Sequence, residues 1–268
     1  MKKFWALFFI FWPAVALYVC IIAPSRGWWF PSEPMTKVGE QIDGLFYLIL
    51  IIVTVTFIGT QIGLGYVLWK GATKEPGQKA VFSHGSHKLE IIWTIVPAFI
   101  LVFISLTQLE VLANIRVKAK FPEEAKEGAV AELMARQFEW RIRYPKPGTQ
   151  LMTEAQPGDL YYVNEVHVPT AKAVMVNVRT QDVQHAFFSP QLRVKQDAVP
   201  GLVIPIWFEI KEAGTYDLVC AELCGWGHYK MKARIVAESP EAVATYLAKL
   251  EQDQNEDGVK DEPAVAAE

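Results

Sequence analysis

Three long runs without a charged side chain lie in the first part of the chain. They cover residues 4–25, 44–69 and 91–109 and contain no Asp, Glu, Lys or Arg. Each is close to the roughly 20 residues that a helix needs to cross the hydrocarbon core of a bilayer. Because a soluble core rarely uses three such helices, the pattern predicts membrane spans. The second and third runs predict a two-helix transmembrane hairpin over residues 44–112.

The first run, within residues 1–25, has two interpretations. A Lys-Lys start followed by an apolar run is typical of a cleaved signal peptide and also of an N-terminal helix that stays in the membrane. Pro13 lies inside the run, and no small-x-small cleavage motif follows it. We keep both interpretations, and we expect Cys20 in this run to be an inert thiol within the membrane.

The distribution of positive charge predicts the orientation. Lys2 and Lys3 precede the first run and four Lys lie in the loop 70–89, whereas only Arg26 and Lys37 lie between the first and second runs. By the positive-inside rule, the N-terminus and the loop 70–89 are cytoplasmic. Everything after the third run is then on the periplasmic or outer side.

From about residue 130 the pattern changes to alternating apolar and polar residues, interrupted by Pro and Gly. Several short strands with turn-rich joints are typical of a β-sandwich or barrel. The residues before this region, 113–130, have little apolar periodicity and predict a connector. The predicted strands are residues 136–144, 172–179, 202–210, 214–220 and 231–237.

A short helix is predicted to close this domain, which we place at residues 113–251. Ser239 is a suitable N-cap and Pro240 suits the first helical position. Residues 252–268 lose apolar content and predict a flexible acidic tail. The tail begins like a calcium loop at Asp253, but Ala264 stands where the loop needs Glu, so we expect a solvated segment.

The composition and charge of the chain exclude several classes of protein. The chain is 51% apolar with a formal net charge of -3, which excludes a disordered or collagen-like protein. The first 109 residues carry five acidic and eight basic groups, and the acidic excess lies mainly in the last 19 residues. Neither part has the basic footprint of a nucleic-acid-binding protein.

Sulfur and imidazole side chains cluster near the end of the β region. The segment CAELCGWGHYKM places Cys220, Cys224, His228 and Met231 close together, and DVQH places His185 upstream. Two thiolates, two imidazoles and one thioether are a soft ligand set suited to copper. A Cys220–Cys224 disulfide and a zinc site are the alternatives, but neither calls for the Met.

The number of Cys residues bears on how many copper ions the site would hold. A single blue-copper site uses one Cys, two His and a weak axial Met. Two Cys are enough for two sulfurs to bridge two copper ions, with one His on each ion. The Met231 sulfur and the backbone carbonyl of Glu222 would then supply weaker axial contacts.

The chain resembles subunit II of the haem-copper cytochrome c oxidases from about residue 40 to 237. The family's copper loop, C-x-E-x-C-G-x-x-H-x-x-M, is matched throughout residues 220–231, and its D-V-x-H and D-A-x-P-G segments are matched at 182–185 and 197–201. The resemblance implies a membrane α-helical hairpin, with or without an extra N-terminal helix, and an all-β cupredoxin-like Greek-key sandwich. It implies a binuclear copper centre, CuA, held by His185, Cys220, Glu222, Cys224, His228 and Met231.

The same resemblance implies the cofactors and partners. The CuA centre would accept electrons from cytochrome c and pass them to haem in subunit I, where dioxygen is reduced with coupled proton translocation. The Glu222 side chain would reach a magnesium ion shared with subunit I, and subunit III would be a further partner. The chain would be an oxidoreductase and translocase subunit, with its copper domain on the periplasmic side of the inner membrane.

A second motif implies a role in proton uptake. Residues 89–97, LEIIWTIVP, are similar to the family's V-E-x-x-W-T-x-x-P. The family's Glu lies at the cytoplasmic mouth of a proton pathway, and Glu90 stands in that position here. The alternative is a solvated carboxylate that favours the start of the helix.

One departure concerns the entry of electrons. The family often has Q-W-x-W where this chain has QFEW, so Phe138 replaces the Trp proposed as the entry point, while Trp140 matches the second Trp. Phe138, Trp140 or Trp226 would serve for entry, or the donor differs from ordinary cytochrome c. We expect Trp140 to be a core residue.

Other functions stay open from the sequence. The chain could be the CuA subunit of another respiratory complex, such as a nitric oxide reductase, or a copper-free structural subunit like those of quinol oxidases. Among the remaining His residues, we expect His84 and His87 to be solvated and His167 to be a strand residue.

Overall fold

The computed structural model describes residues 2–28, 33–74, 77–79, 82 and 84–257. The chain divides into two compact units. The membrane unit consists of residues 1–31 and 43–110, and the outer domain of residues 32–42 and 111–268. Residues 32–42 therefore belong to the outer domain, although they precede the second apolar run in the sequence.

Three helices carry the apolar runs. They are α1 (Lys2–Ile22), α2 (Lys37–Ala72) and α3 (His87–Arg116), and each is long and apolar enough to cross a membrane. The α3 helix has no buried residue, as expected for a helix whose surface faces lipid or another subunit. The predicted membrane helices are confirmed, and α2 and α3 extend beyond the uncharged runs at both ends.

Within the membrane unit, α1 packs closely on α2 at Gly65. A Cβ atom at Gly65 would lie 2.6 Å from Ile10 Cγ1 and 3.0 Å from the Ala6 carbonyl oxygen, and Ala6 is fully buried. Lys3 Nζ lies 5.5 Å from the centre of the Trp69 ring on the same pair of helices. Small residues at the crossing thus allow the two backbones to approach each other.

The described part of the outer domain contains ten strands and two further α-helices. A four-residue helix, α4 (Glu123–Lys126), precedes the strands, and α5 (Pro240–Asp257) follows them. The strands are β1 (Ala129–Arg136), β2 (Glu139–Tyr144), β3 (Leu160–Val163), β4 (Glu165–Pro169), β5 (Ala173–Thr180), β6 (His185–Ser189), β7 (Val194–Ala198), β8 (Ile204–Glu209), β9 (Gly214–Cys220) and β10 (Lys232–Glu238).

The strands form two five-stranded sheets, one in the order β3-β2-β1-β5-β8 and the other in the order β4-β10-β9-β6-β7. Most neighbours are antiparallel, but β1 pairs with β5 and β10 pairs with β4 in parallel. Aromatic rings from the two sheets meet in one core, where Phe187 of β6 lies 6.4 Å from Trp140 and 6.3 Å from Phe208. The predicted β-sandwich is confirmed.

All five predicted strands are present, but the first was predicted too long. Residues 136–144 include the end of β1 and the turn at 137–138, so β2 begins only at Glu139. This turn is fixed by ion pairs, since Glu139 Oε1 lies 2.6 Å from Arg136 Nη2 and 2.8 Å from Arg141 Nε. Alternation alone could not reveal this turn, because the apolar pattern continues through it.

The predicted connector is partly structured. It contains the end of α3, a 3-10 turn at Lys118–Lys120 and α4 before β1 begins at Ala129. At the other end of the domain, Ser239 Oγ accepts the N–H of Ala242 at 3.2 Å and caps α5. The α5 helix runs to Asp257, beyond the predicted end at 251, and Gln254 Nε2 donates to the Tyr161 carbonyl at 2.5 Å. The expected flexible tail, residues 252–268, is therefore helical up to Asp257, and the rest of it lies outside the described residues.

The start of α2 is attached to the outer domain through backbone and side-chain hydrogen bonds. The Met35 N–H donates to the Gln191 carbonyl at 3.0 Å, and the Met35 carbonyl accepts the Lys211 N–H at 3.0 Å. Thr36 Oγ1 donates to the Leu192 carbonyl at 3.0 Å and accepts the Gly39 N–H at 2.8 Å. Thr36 therefore both caps α2 and joins it to the sandwich.

Candidate metal centre

The candidate ligands come from three separate parts of the outer domain. His185 begins β6, Cys220 ends β9, and Met231 directly precedes β10. The backbone N–H of Cys220 donates to the Met231 carbonyl at 3.1 Å, so the two ends of the loop 221–230 are held together. Pairing of β6 with β9 brings His185 beside this loop.

The sulfur and nitrogen atoms of these residues converge. Cys220 Sγ lies 3.9 Å from Cys224 Sγ and 3.7 Å from His185 Nδ1. Cys224 Sγ lies 3.6 Å from His228 Nδ1 and 3.9 Å from Met231 Sδ. The ligand atoms of His185, Cys220 and Cys224 all lie within 4.8 Å of one another. The structure thus brings together the five side chains that the sequence singled out.

The backbone supplies a further candidate donor. Cys220 Sγ lies 3.2 Å from the carbonyl oxygen of Glu222, which the sequence proposed as an axial contact. Glu222 itself is half-buried, between the two cysteines. Its carbonyl oxygen is therefore placed toward the sulfur pair.

The two cysteines are free thiols. Their sulfur separation of 3.9 Å is nearly twice the length of a disulfide bond, about 2.05 Å. Both side chains are buried, as are His185 and Met231. Two thiols, two imidazoles and a thioether in contact form a donor set that fits a thiophilic metal such as copper.

The thiols differ in acidity because their surroundings differ. Burial raises the pKa of Cys220, but hydrogen bonds from His185 and from the backbone of Ala186 and Glu222 outweigh it, so the pKa is lowered. Burial and the neighbouring Cys220 sulfur raise the pKa of Cys224. The surroundings of Cys220 thus favour its thiolate, and those of Cys224 favour its neutral thiol.

His185 is oriented by Asp182. Its Nε2 lies 2.8 Å from Asp182 Oδ1, leaving Nδ1 toward Cys220. Burial raises the pKa of Asp182, but hydrogen bonds from the N–H of Gln137, from His185 and from the N–H of Val183 outweigh it, so the pKa is lowered. A carboxylate fixed in this way sets the ring orientation, as is usual for metal-binding histidines.

Gln137 and Phe138 cover the loop from the other sheet. Gln137 Nε2 donates to the Cys224 carbonyl at 2.6 Å. The Phe138 ring lies so close to the loop that a Cβ at Gly227 would be 2.5 Å from it, and a Cβ at Gly225 would be 3.2 Å from it. Gly225 also has a φ of +131°, which L side chains rarely adopt. The sequence did not reveal the roles of Gln137 and Gly227, because only the fold brings the QFEW segment onto the loop.

The three aromatic candidates occupy different positions. Trp140 is fully buried in the sandwich core, as expected. Trp226 is 76% exposed, and its ring centre lies 5.1 Å from that of Phe138, which is half-buried. Lys230 Nζ lies 4.6 Å from the centre of the Trp226 ring. Trp226, an exposed residue of the loop, and Phe138, which packs on the loop glycines, thus form an aromatic pair.

The remaining polar candidates have other partners. Glu90 is in the first turn of α3, and its Oε2 lies 3.1 Å from His87 Nδ1. His167 is a residue of β4, where its ring nitrogens lie 2.7 Å from Glu238 Oε1 and 3.1 Å from Glu165 Oε1. Among the described residues, none of these side chains belongs to a group of metal-binding geometry.

Comparisons with known proteins identify the family of the chain. The family model described as cytochrome c oxidase subunit II, transmembrane domain, matches residues 32–111, and the one described as cytochrome c oxidase subunit II, periplasmic domain, matches residues 142–239. The alternative cytochrome c oxidase subunit 2 of Bradyrhizobium diazoefficiens is 30% identical over 94% of this chain and 96% of its own length.

Two further proteins illustrate the similarity. The cytochrome c oxidase subunit 2 of Cereibacter sphaeroides is 32% identical over 79% of this chain and 77% of its own length. Among solved structures, the periplasmic domain of subunit II of cytochrome oxidase of Bradyrhizobium japonicum is 26% identical. It covers 46% of this chain and 93% of its own, with a TM-score of 0.41.

Proposed function

The chain belongs to the cytochrome c oxidase subunit II family, and we propose that it is the electron-entry subunit of a cytochrome c oxidase. As a family member it is a subunit of a haem-copper oxidase, which is an oxidoreductase complex. The observation that carries the proposal is the pair of free, buried thiols 3.9 Å apart, with an imidazole nitrogen beside each.

Two copper ions in this site would be held by Cys220 and Cys224 together, with one imidazole for each ion. What a bound copper pair would supply is reversible one-electron chemistry. The Met231 thioether and the Glu222 carbonyl would supply further, weaker donors. Two thiolates, two imidazoles, one thioether and one carbonyl would provide the donors of a CuA centre, and the thioether suits copper better than zinc.

The protein's own contribution is a rigid, dry site. Asp182 holds His185, Gln137 holds the Cys224 carbonyl, and the backbone bond between Cys220 and Met231 closes the loop. His185 and Met231 are almost completely shielded from solvent. Ligands that are already in place need to move little when the charge of the site changes, which favours fast electron transfer.

Electrons would enter through Trp226 and Phe138. Trp226 is exposed to a docking carrier, and its ring contacts Phe138, which packs against Gly225 and Gly227 on either side of it. Trp140 has no exposed surface and therefore serves as core. This route would replace the Trp that the family often has at position 138, with cytochrome c as the donor.

The remaining roles follow from the family. The electron would pass to haem in subunit I, where dioxygen is reduced, and the Glu222 carboxylate would meet a magnesium ion at that interface. Glu90, in the first turn of α3, would stand at the entrance of a proton pathway. We place the three helices in the inner membrane, with the family's periplasmic domain on the outer side and subunit III as a further neighbour.

Copper loading of the full chain tests this function. The protein, purified in detergent, is incubated with copper under mild reductant, and its copper content and electron paramagnetic resonance spectrum are measured. We expect two copper ions per chain that share one unpaired electron. A spectrum of a single isolated copper, or no bound copper, would contradict the proposal and favour a copper-free structural subunit.

A further inference from the structure

The turn between β1 and β2, residues 137–138, belongs to one sheet of the sandwich but contacts the loop 221–230 of the other. Among the candidate ligands, Cys220 ends β9 and His185 begins β6, and both strands lie in the sheet β4-β10-β9-β6-β7. A Cβ at Gly225 would lie 2.9 Å from Gln137 Nε2, so the turn and the loop are in close contact. Through this turn the sheet β3-β2-β1-β5-β8 reaches the candidate ligands.

Gln137 donates two hydrogen bonds to the segments that carry these ligands. Its Nε2 donates to the Cys224 carbonyl at 2.6 Å, and its backbone N–H donates to Asp182 Oδ2 at 2.7 Å. The other oxygen of that carboxylate, Oδ1, lies 2.8 Å from His185 Nε2. One residue thus contacts the backbone of one candidate ligand and the carboxylate that orients another.

The backbone of Cys224 depends on this contact. The loop is tied to β6 at its start, where the Ala221 N–H donates to the Ala186 carbonyl at 3.1 Å. Further along, the backbone bonds at 225–231 join loop residues to one another. Among the described residues, the Cys224 carbonyl accepts no hydrogen bond besides that from Gln137. The Gln137 amide therefore ties the middle of the loop to the opposite sheet.

The position of Cys224 affects three other candidate ligands. Its Sγ lies 3.6 Å from His228 Nδ1, 3.9 Å from Met231 Sδ and 3.9 Å from Cys220 Sγ. A shift of the Cys224 backbone would change all three separations at once. Since a metal centre needs ligands that neighbouring groups hold in place, the bond to the Cys224 carbonyl bears on the whole donor set.

We propose that Gln137 is a positioning residue of the metal centre and holds Cys224 in register with His185. The proposal rests on the copper function proposed above. Gln137 gives no atom to the metal; its side chain fixes the Cys224 backbone, and its N–H fixes the carboxylate beside His185. Because Gln137 is an exposed residue, its side chain can be replaced without opening a cavity in the core.

Two variants remove the amide donor. Gln137→Leu and Gln137→Ala both lack it but differ in size, and both keep the backbone N–H that Asp182 accepts. Gln254→Leu is the matched control, because Gln254 Nε2 donates to the Tyr161 carbonyl at 2.5 Å, between α5 and β3. An effect that the two Gln137 variants share and the control lacks is then due to the bond to Cys224.

The copper-loaded full chain in detergent gives the first readout. The hyperfine splitting in the electron paramagnetic resonance spectrum, the reduction potential and the rate of copper loss to a chelator are measured for the wild type and the three variants. We expect both Gln137 variants to bind two copper ions with a changed splitting and a shifted potential, and to lose copper about tenfold faster or more. Values equal to those of the wild type in both Gln137 variants would overturn the proposal.

Hydrogen exchange of the metal-free chain gives a readout that does not depend on copper. Since the net contribution of one hydrogen bond is modest, we expect the amides of residues 221–231 to exchange about threefold to tenfold faster in both Gln137 variants. In Gln254→Leu the faster exchange should be confined to β3 and α5. Unchanged exchange of the loop in the Gln137 variants, or equally faster exchange throughout the sandwich, would overturn the positioning role.

The two readouts separate this proposal from the function on which it rests. A wild-type chain that binds no copper would contradict the proposed function, and the exchange of residues 221–231 would still decide whether Gln137 holds the loop. A wild-type chain with the two-copper signal, together with Gln137 variants that match it in both readouts, would overturn the role of Gln137 and leave the copper function intact.

Discussion

The membrane unit and the outer domain place their apolar residues in opposite ways. In the 30 residues of α3 no side chain is buried, although most of them are apolar. In the sandwich, Trp140 and Phe187 have no exposed surface, because alternate positions of each strand face the other sheet. The apolar surface of the first unit faces lipid or other subunits, and that of the second forms an internal core.

This difference determines where a site can be built. The outer domain fixes His185, Cys220 and Met231 from three strand ends against one core, so their separations are set by packing. In the membrane unit, polar side chains such as Glu90 and His87 are held by local contacts within one helix. A precise metal centre requires the first kind of support, whereas a polar group near the end of a helix can be held by the second.

Replacement of Cys220 by Ser should have the largest effect. The variant loses one of the two sulfurs between which two copper ions would be shared, so we expect loss of the two-copper signal. Copper content and electron paramagnetic resonance of the loaded full chain measure this. Cys20→Ser is the matched control, because Cys20 lies on α1 in the membrane unit, and it should keep the complete signal. Retention of the signal in Cys220→Ser would refute the assigned ligands.

A methyl group at Gly227 should destabilise the outer domain next most strongly. The Cβ of Gly227→Ala would lie 2.5 Å from the Phe138 ring, so the ring or the loop must move. We expect a loss of about 1–3 kcal/mol in the free energy of unfolding, measured by chemical denaturation in detergent. Gly214→Ala is the control. Its new Cβ would lie at an ordinary contact distance of 3.6 Å from Tyr216, so the free energy of unfolding should change by less than about 0.5 kcal/mol. Similar losses in both variants would contradict the close approach of Phe138.

The corresponding change in the membrane unit is Gly65→Leu. Its side chain would enter the space occupied by Ile10 and the Ala6 backbone, so α1 should move away from α2. The distance between spin labels at residues 15 and 66, on a background with Ser at the native Cys positions, measures this. We expect a longer, broader distribution in Gly65→Leu. Gly63→Leu is the control, because a Cβ at Gly63 has nothing within 4 Å, and it should leave the distance between the labels unchanged. A shift of equal size in Gly63→Leu would contradict the close packing of α1 on α2 at Gly65.

The sequence predicted the membrane helices more completely than it predicted the candidate site of the outer domain. The uncharged runs predicted the three helices, because hydrocarbon imposes one simple requirement on all their side chains. Spacing within residues 220–231 predicted four of the side chains that converge, since a single loop presents them. Asp182 lies in a motif that the sequence matched, but only the structure shows its hydrogen bond to His185. Only the structure shows that Gln137 contacts the loop, because Gln137 is far from it in the sequence.

The smallest effect is expected from an ion pair at the end of the sandwich. Burial raises the pKa of Glu139, but hydrogen bonds and charge from Arg141 and Arg136 outweigh it, so the folded-state pKa lies below the ordinary 4.5. The stability that it contributes is therefore complete well above pH 4.5 and is lost as the pH falls through the folded-state pKa. Glu139→Gln should reduce the free energy of unfolding at pH 7 by about 0.5 kcal/mol, since the group is partly exposed to solvent.

Denaturant unfolding of the two proteins at several pH values measures this difference. It should shrink toward zero as the pH falls below 4.5, because the wild-type carboxylate becomes neutral like the amide. Glu212→Gln, at an exposed position, should show almost no difference at any pH. A difference between wild type and Glu139→Gln that stays constant or grows in acid would mean that Glu139 acts through packing and not through its charge. The turn before β2 would then be stabilised by the packing of the Glu139 side chain, as the core is stabilised by packing, and not by its ion pairs.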